Sequence, residues 1–91
     1  MKELKLEGNY GNELILNGAT REQVAEFVDK DVNRCVSLMA DGQCEWTYEI
    51  RWCSVFDSKR DCRVYDRNKT VREHTDKLIE YIAEDFGLVV E

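Results

Sequence analysis

Proline is absent from this 91-residue chain, and histidine occurs once, at His74. Charged residues make up 35% of it, yet the apolar 43% recur at regular intervals, so the composition fits a folded domain better than a disordered tail. No apolar run approaches the roughly 20 residues that a membrane-spanning helix needs. The opening stretch, Met1-Lys2-Glu3-Leu4-Lys5-Leu6-Glu7, alternates charge with leucine and has no signal-peptide character, so a cytoplasmic protein with no membrane partner is expected. A chain of this size hides only roughly 60–65% of the surface its unfolded form exposes. That suffices for one core, and a single α+β domain over residues 1–91 is expected.

Catalytic and metal-binding patterns are missing as well. The four cysteines, at 35, 44, 53 and 62, are nine residues apart each time, an interval that invites a zinc reading. Zinc sites bring ligands in as close pairs, two to four residues between them, so that a tight turn can wrap a tetrahedral ion. No such pair exists here, and Cys44 and Cys53 would point to opposite faces of a regular strand. The thiols are expected to be reduced and buried or half-buried, with no metal. Cys53-Ser54-Val55-Phe56-Asp57 resembles Cys62-Arg63-Val64-Tyr65-Asp66, which reads as two adjacent strands rather than a solenoid repeat. His74 falls one turn after Val71 on a helix, a half-exposed position, and no spacing pairs it with a thiol. Gly8 and Gly11 flank a hairpin turn with no helix after it, so they form no phosphate loop. No catalytic residue, no cofactor and no enzyme activity are expected.

What is present is periodicity. Leu4/Leu6 and Leu14/Leu16 alternate around the turn formers Gly8-Asn9-Tyr10-Gly11-Asn12, which predicts a hairpin with Leu6 opposite Leu14 and Leu4 opposite Leu16. Thr20 and Gln23 make a capping box, followed by the helical stripe Val24, Phe27, Val28, Val32. Val36 to Ala40 reads as a strand, turned back by Asp41-Gly42-Gln43. From Cys44 to Asp57 the even positions (Cys44, Trp46, Tyr48, Ile50, Trp52, Ser54, Phe56) give an aromatic core face, and the odd positions give a mostly polar face turned outward. A three-residue turn would set Ala40, Leu38 and Val36 opposite Cys44, Trp46 and Tyr48. A minority reading leaves Trp52 or Tyr48 uncovered as an interface anchor. After a short strand, Cys62 to Tyr65, a capping box of Thr70 and Glu73 opens a second helix with the stripe Val71, Leu78, Ile82, Phe86. Gly87 ends that helix, and Leu88-Val89-Val90 adds an edge strand or packs down. The fold class is therefore α+β, an antiparallel sheet in β-β-α-β-β-β-α order packed with two helices.

The net charge of −6 is unevenly spread. Residues 1–50 stand at −5 and residues 73–91 at −5, while residues 51–72 stand at +4 through Arg51, Lys59, Arg60, Arg63, Arg67, Lys69 and Arg72 against three aspartates. Bulk acidity argues against high-affinity, non-specific DNA binding. The basic residues Lys59, Arg60, Arg63, Arg67, Lys69 and Arg72 nevertheless cluster before and at the start of the second helix. The α-β-β-β-α stretch from Thr20 to Phe86 resembles the element order of double-stranded-RNA-binding domains, whose last helix begins with basic residues. The Lys-Lys-Ala-type signature and alanine-rich helix face of that family are absent, so nucleic-acid binding through 59–72 stands as the alternative.

The favoured reading is a non-enzymatic protein-binding module. In size, acidity and lack of a chemical site, the chain is similar to phage-encoded inhibitors of bacterial defence nucleases, such as anti-CRISPR and anti-restriction proteins. That resemblance implies carboxylates presented where a partner expects phosphates. The expected partner is another protein, such as a nucleic-acid-binding protein or nuclease, met by a monomer or homodimer. The contributing residues would be Glu22, Glu26 and Asp29 on the first helix and Glu73, Asp76, Glu80 and Glu84 on the second, the last three recurring every four residues.

Overall fold

The computed structural model describes residues 2–50, 54–60, 62–65 and 71–91. Alternating leucines build the first hairpin: β1 (Leu4–Glu7) and β2 (Glu13–Ile15) pair antiparallel with Leu6 opposite Leu14. The Leu16 N–H donates to the Leu4 carbonyl at 2.8 Å, so both expected leucine pairs form. Leu4, Leu6 and Leu16 are buried, with Leu14 packed at the border of the core. Gly8, at the start of the turn, lies against buried Asn33: a Cβ there would sit 2.1 Å from Asn33 Oδ1, so a side chain would displace either Asn33 or the turn.

The helix α1 (Arg21–Asp29) begins where the sequence places it. Gln23 donates its N–H to Thr20 Oγ1 at 3.1 Å, and Thr20 donates its own to Gln23 Oε1 at 2.8 Å, satisfying two amides that the first turn leaves unpaired. Val24, Ala25 and Val28 are buried, with Phe27 at the border. Val32, expected on the same stripe, lies beyond the helix in a single 3-10 turn and is exposed.

The strands β3 (Cys35–Ala40) and β4 (Gln43–Ile50) are joined by Asp41 and Gly42, at φ 50° and 82°. Two consecutive positive φ values fit a two-residue hairpin turn of the I′ kind, which matches strand twist and favours Asp-Gly. The turn is therefore one residue shorter than expected, and Ala40 opposes Gln43 instead of Cys44. A bulge then absorbs one residue: Cys44 opposes Met39 while Trp46 opposes Leu38. Trp46 and Tyr48 thereby regain the predicted partners Leu38 and Val36 and are buried, which rules out Tyr48 as an uncovered anchor. Cys44 is turned to the other face and is exposed, as is Cys35, contrary to the expectation of buried thiols.

The alternating run expected as one strand is divided in two. β5 (Ser54–Asp57) runs back along β4 with Val55 opposite Ile50 and Asp57 opposite Tyr48. Cross-strand partners share a face, and these pairs join odd residues to even ones, so the inward parity inverts. Val55 and Asp57 are buried, and Phe56 is half-buried on the opposite face beside Glu49, which corrects the reading of Phe56 as core and of Val55 and Asp57 as outward. Trp52 and Cys53 lie outside the described residues. β6 (Cys62–Tyr65) completes a sheet of order β2-β1-β3-β4-β5-β6 in which every neighbouring pair is antiparallel.

The second helix, α2 (Val71–Phe86), covers the same face as α1, sealing Leu78, Ile79, Tyr81 and Ile82 against the sheet. The Thr70–Glu73 capping box lies outside the described residues. His74, expected half-exposed, is only 4% exposed, one turn before Leu78 on the buried stripe. The Tyr48 hydroxyl donates to the His74 carbonyl at 3.0 Å, so β4 also holds this helix through its backbone. At the other end the Gly87 N–H returns to the Ala83 carbonyl at 2.8 Å. The segment after it forms no strand but packs down: Val90 is buried, and the Arg21 N–H donates to the Glu91 carbonyl at 2.8 Å, closing the first turn of α1. The α+β class, with an antiparallel sheet and two helices, is as read from the sequence. Among the described residues no helix is long and apolar enough to cross a membrane.

Candidate functional site

The two helices lie side by side and antiparallel, and charged residues join them. Arg72 of α2 reaches Glu22 at 2.6 Å and Glu26 at 3.8 Å, while Arg21 of α1 reaches Asp76 at 2.7 Å. Three of the seven acidic residues expected to face a partner are thus neutralised across the helix seam. Asp29 and Glu73 are exposed at one end of that seam, where α1 finishes and α2 begins. Beyond it the row continues along α2 as expected: Glu80 is exposed with Lys77 at 3.4 Å on its own helix, and Glu84 is exposed with no ion pair among the described residues.

The three described cations of the basic segment, Lys59, Arg60 and Arg72, are not a loose patch. Arg72 is committed to the helix seam, and Lys59 and Arg60 are committed to two aspartates. Asp57 is fully buried; its Oδ1 accepts the N–H groups of Lys59 at 2.8 Å and Arg60 at 2.9 Å, and its Oδ2 meets the Arg60 guanidinium at 3.2 Å. Such an aspartate, bonding the amides two and three residues on, fixes the turn that follows it. Asp85, near the end of α2, takes Arg60 on Oδ1 at 2.6 Å, and on Oδ2 the Trp46 indole N–H at 2.9 Å and Lys59 Nζ at 3.1 Å. The Arg60 guanidinium lies over the Tyr81 ring, 3.9 Å from its centroid, with the Trp46 ring at 5.5 Å.

Electrostatics follow the geometry. Burial pushes the Asp85 carboxyl up, but hydrogen bonds and charge from Arg60 and Lys59 outweigh it and hold the group below its usual range. Burial likewise opposes the Arg60 charge, and Asp85 and Asp57 overcome that, raising its pKa further. Sequence reasoning missed this cluster because its members are far apart along the chain. The one local signal was Asp57 three residues before Arg60, the start of an aspartate-fixed turn. Arg67, Lys69 and the side chain of Arg63 lie outside the described residues.

The chemistry available here is limited. An open pocket of about 550 Å³ beside the cluster is lined by Lys2, Glu45, Trp46, Lys59, Asp85 and Phe86. Its two lysines balance its two carboxylates, and both oxygens of Asp85 are already taken, leaving it ill-suited to act as a base. His74 is buried on the helix-covered side of the sheet, whereas Cys35 and Cys44 lie on the other side, so neither thiol meets the imidazole. Among the described residues no three histidine, cysteine or carboxylate side chains converge to hold a metal. No protein-family model matches the chain, and no curated protein or solved structure does so either.

Proposed function

We propose that this chain works without catalysis, as a small acidic protein-binding module that inhibits a partner by occupying its nucleic-acid-binding site, in the manner of anti-CRISPR and anti-restriction proteins. One observation carries the reading. Among the described residues Lys5, Arg21, Arg34, Lys59, Arg60, Arg72 and Lys77 each lie within ion-pair distance of a carboxylate. Carboxylates outnumber cations there, so the charge those residues leave over is negative. On α2 that surplus falls at Glu84, next to Glu80 and Asp76 in one row. Residues four apart rise about 6 Å along a helix, against roughly 3.4 Å per phosphate along one DNA strand. With Asp76 held by Arg21, Glu80 and Glu84 would stand in for phosphates two apart.

The test is a capture experiment in which bound protein and bound nucleic acid are both analysed, followed by kinetics on the captured partner. Association should weaken steeply with salt, and the double variant Glu80→Lys, Glu84→Lys should slow it while leaving the fold intact. The rival reading, nucleic-acid binding through 59–72, is tested by gel shift with the double variant Arg63→Glu, Lys69→Glu, which avoids the committed Arg60. Salt-dependent binding of the wild type to plain duplex RNA or DNA, lost in that variant, would replace the proposal.

A further inference from the structure

The strand β2 ends the sheet, with β1 as its one neighbour among the described residues. In an antiparallel ladder alternate residues turn both main-chain groups toward one neighbour, and the residues between turn theirs away. Leu16 donates to Leu4 and Gly8 donates to the Asn12 carbonyl, both at 2.8 Å, in the register that sets Leu6 opposite Leu14. Positions 12, 14 and 16 therefore bond inward, and the N–H and C=O groups of Glu13 and Ile15 point off the edge. Both residues are exposed, Ile15 to 54%. Beside this edge, on the helix-covered side, lies an open notch of about 210 Å³, lined by Leu14 and Phe27 with Gln23, Glu26 and Lys30 around them. An exposed edge next to an apolar notch is a template for an incoming strand.

We propose that this edge docks an extended segment of a partner protein, added antiparallel to β2 and reading apolar, apolar, basic opposite Ile15, Leu14 and Glu13. The proposal rests on the reading of the chain as a protein-binding module, though not on the carboxylate row of α2. The pleat dictates the pattern. A residue opposite Leu14 points to the helix-covered side, with its Cβ roughly 5 Å from that of Leu14, so an aliphatic side chain there enters the notch. The residues on either side of it point to the uncovered face. One meets exposed Ile15, and the other meets Glu13, whose own cross-strand partner is the carboxylate Glu7. Lys5 meets Glu13 at 2.8 Å, so the two carboxylates share one cation, and the single negative charge left in that row favours a cation in third place. A second copy of this chain is the weaker occupant, because each copy carries a net charge of −6 and two copies repel.

The test uses a blocked peptide, Thr-Lys-Thr-Val-Val-Lys-Thr-Lys, titrated into isotope-labelled protein and followed by amide shifts. Shifts should centre on Glu13, Leu14, Ile15 and Phe27. Only alternate peptide amides face β2, so N-methylation of the first valine or of the lysine after the second valine should weaken binding at least tenfold. N-methylation of the second valine should leave it within twofold. Ile15→Lys should weaken the peptide without changing the fold. Equal effects of all three methylations, shifts confined to α2, or no binding at millimolar peptide would overturn the proposal. So would a concentration-dependent dimer abolished by Ile15→Lys, which would assign the edge to a second copy. Failure here, with salt-dependent partner capture still sensitive to Glu80 and Glu84, would remove strand addition and leave the acidic-module reading standing.

Discussion

Two sets of ion pairs lie at opposite ends of α2, each joining an arginine to carboxylates. At its start Arg72 meets Glu22 at 2.6 Å, with side chains 44% and 63% exposed. At its end Asp85 meets Arg60, also at 2.6 Å, with side chains 9% and 19% exposed. Distance does not separate the two; surroundings do. Water and salt screen the first pair, whose long side chains lose freedom in making it. The second is flanked by two aromatic rings and a fully buried Asp57, and each of its charges would be costly there without the other. Equal geometry therefore serves different ends: the seam adjusts surface charge, and the cluster fixes where α2 sits on β4 and β5.

That contrast can be broken in graded steps. Trp46→Ala should be the most damaging, about 3–5 kcal/mol by urea unfolding, because it empties core volume and strips a donor from Asp85. A loss below about 1 kcal/mol would show that the indole does not belong to the core. Arg60→Ala should cost about 3 kcal/mol, the low end for stripping a buried carboxylate of its cation, since Lys59 and two amides remain. Arg60→Lys should restore less than half of that loss, because an ammonium neither forks between two aspartates nor stacks on Tyr81.

Acid should reach the cluster next. With its folded pKa held below the unfolded value of about 3.9, Asp85 adds stability above that pH, and the contribution fades as pH falls through the folded pKa. Asp85→Asn should therefore show a flatter stability profile below about pH 4 than the wild type; parallel profiles would remove Asp85 from this role. The smallest stability effect is expected at the seam. Arg72→Ala should leave Tm unchanged within measurement, yet it leaves Glu22 and Glu26 without their cation and should speed association with a basic partner at low salt. A large drop in Tm would mean the seam is structural after all.

Much of the fold was legible because it is local. The leucine hairpin, the Thr20–Gln23 cap and the buried stripe of α1 each depend on residues a few positions apart. The run from Cys44 to Asp57 was misread because alternation continues across a reversal without glycine or proline to mark it. A pattern of period two does not record which way the strand is running. The bulge at Glu45 was hidden for a related reason: the shorter turn and the extra residue offset each other, so the parity at Trp46 came out as expected while Cys44 changed sides. The charge cluster joins Asp57 and Arg60 to Asp85, and only the packing of α2 on the sheet brings them together. The acidic row of α2 was visible in its spacing. Its partial neutralisation by α1 was not, since that needs the antiparallel placement of the two helices.

The position of β1 carries one more consequence, for synthesis. β1 lies between β2 and β3, although the chain makes β2 and all of α1 before β3 emerges. The hairpin can close at once, because its contacts are near in sequence. The other edge of β1 must wait, its main-chain groups unpaired, until β3 arrives to flank it. A nascent chain stopped after α1 would therefore present a sticky half-sheet, and aggregation of stalled or truncated products would be most acute there. Once β3 docks, β1 links the early half of the sheet to the late half, so a lesion in those four residues would disconnect both.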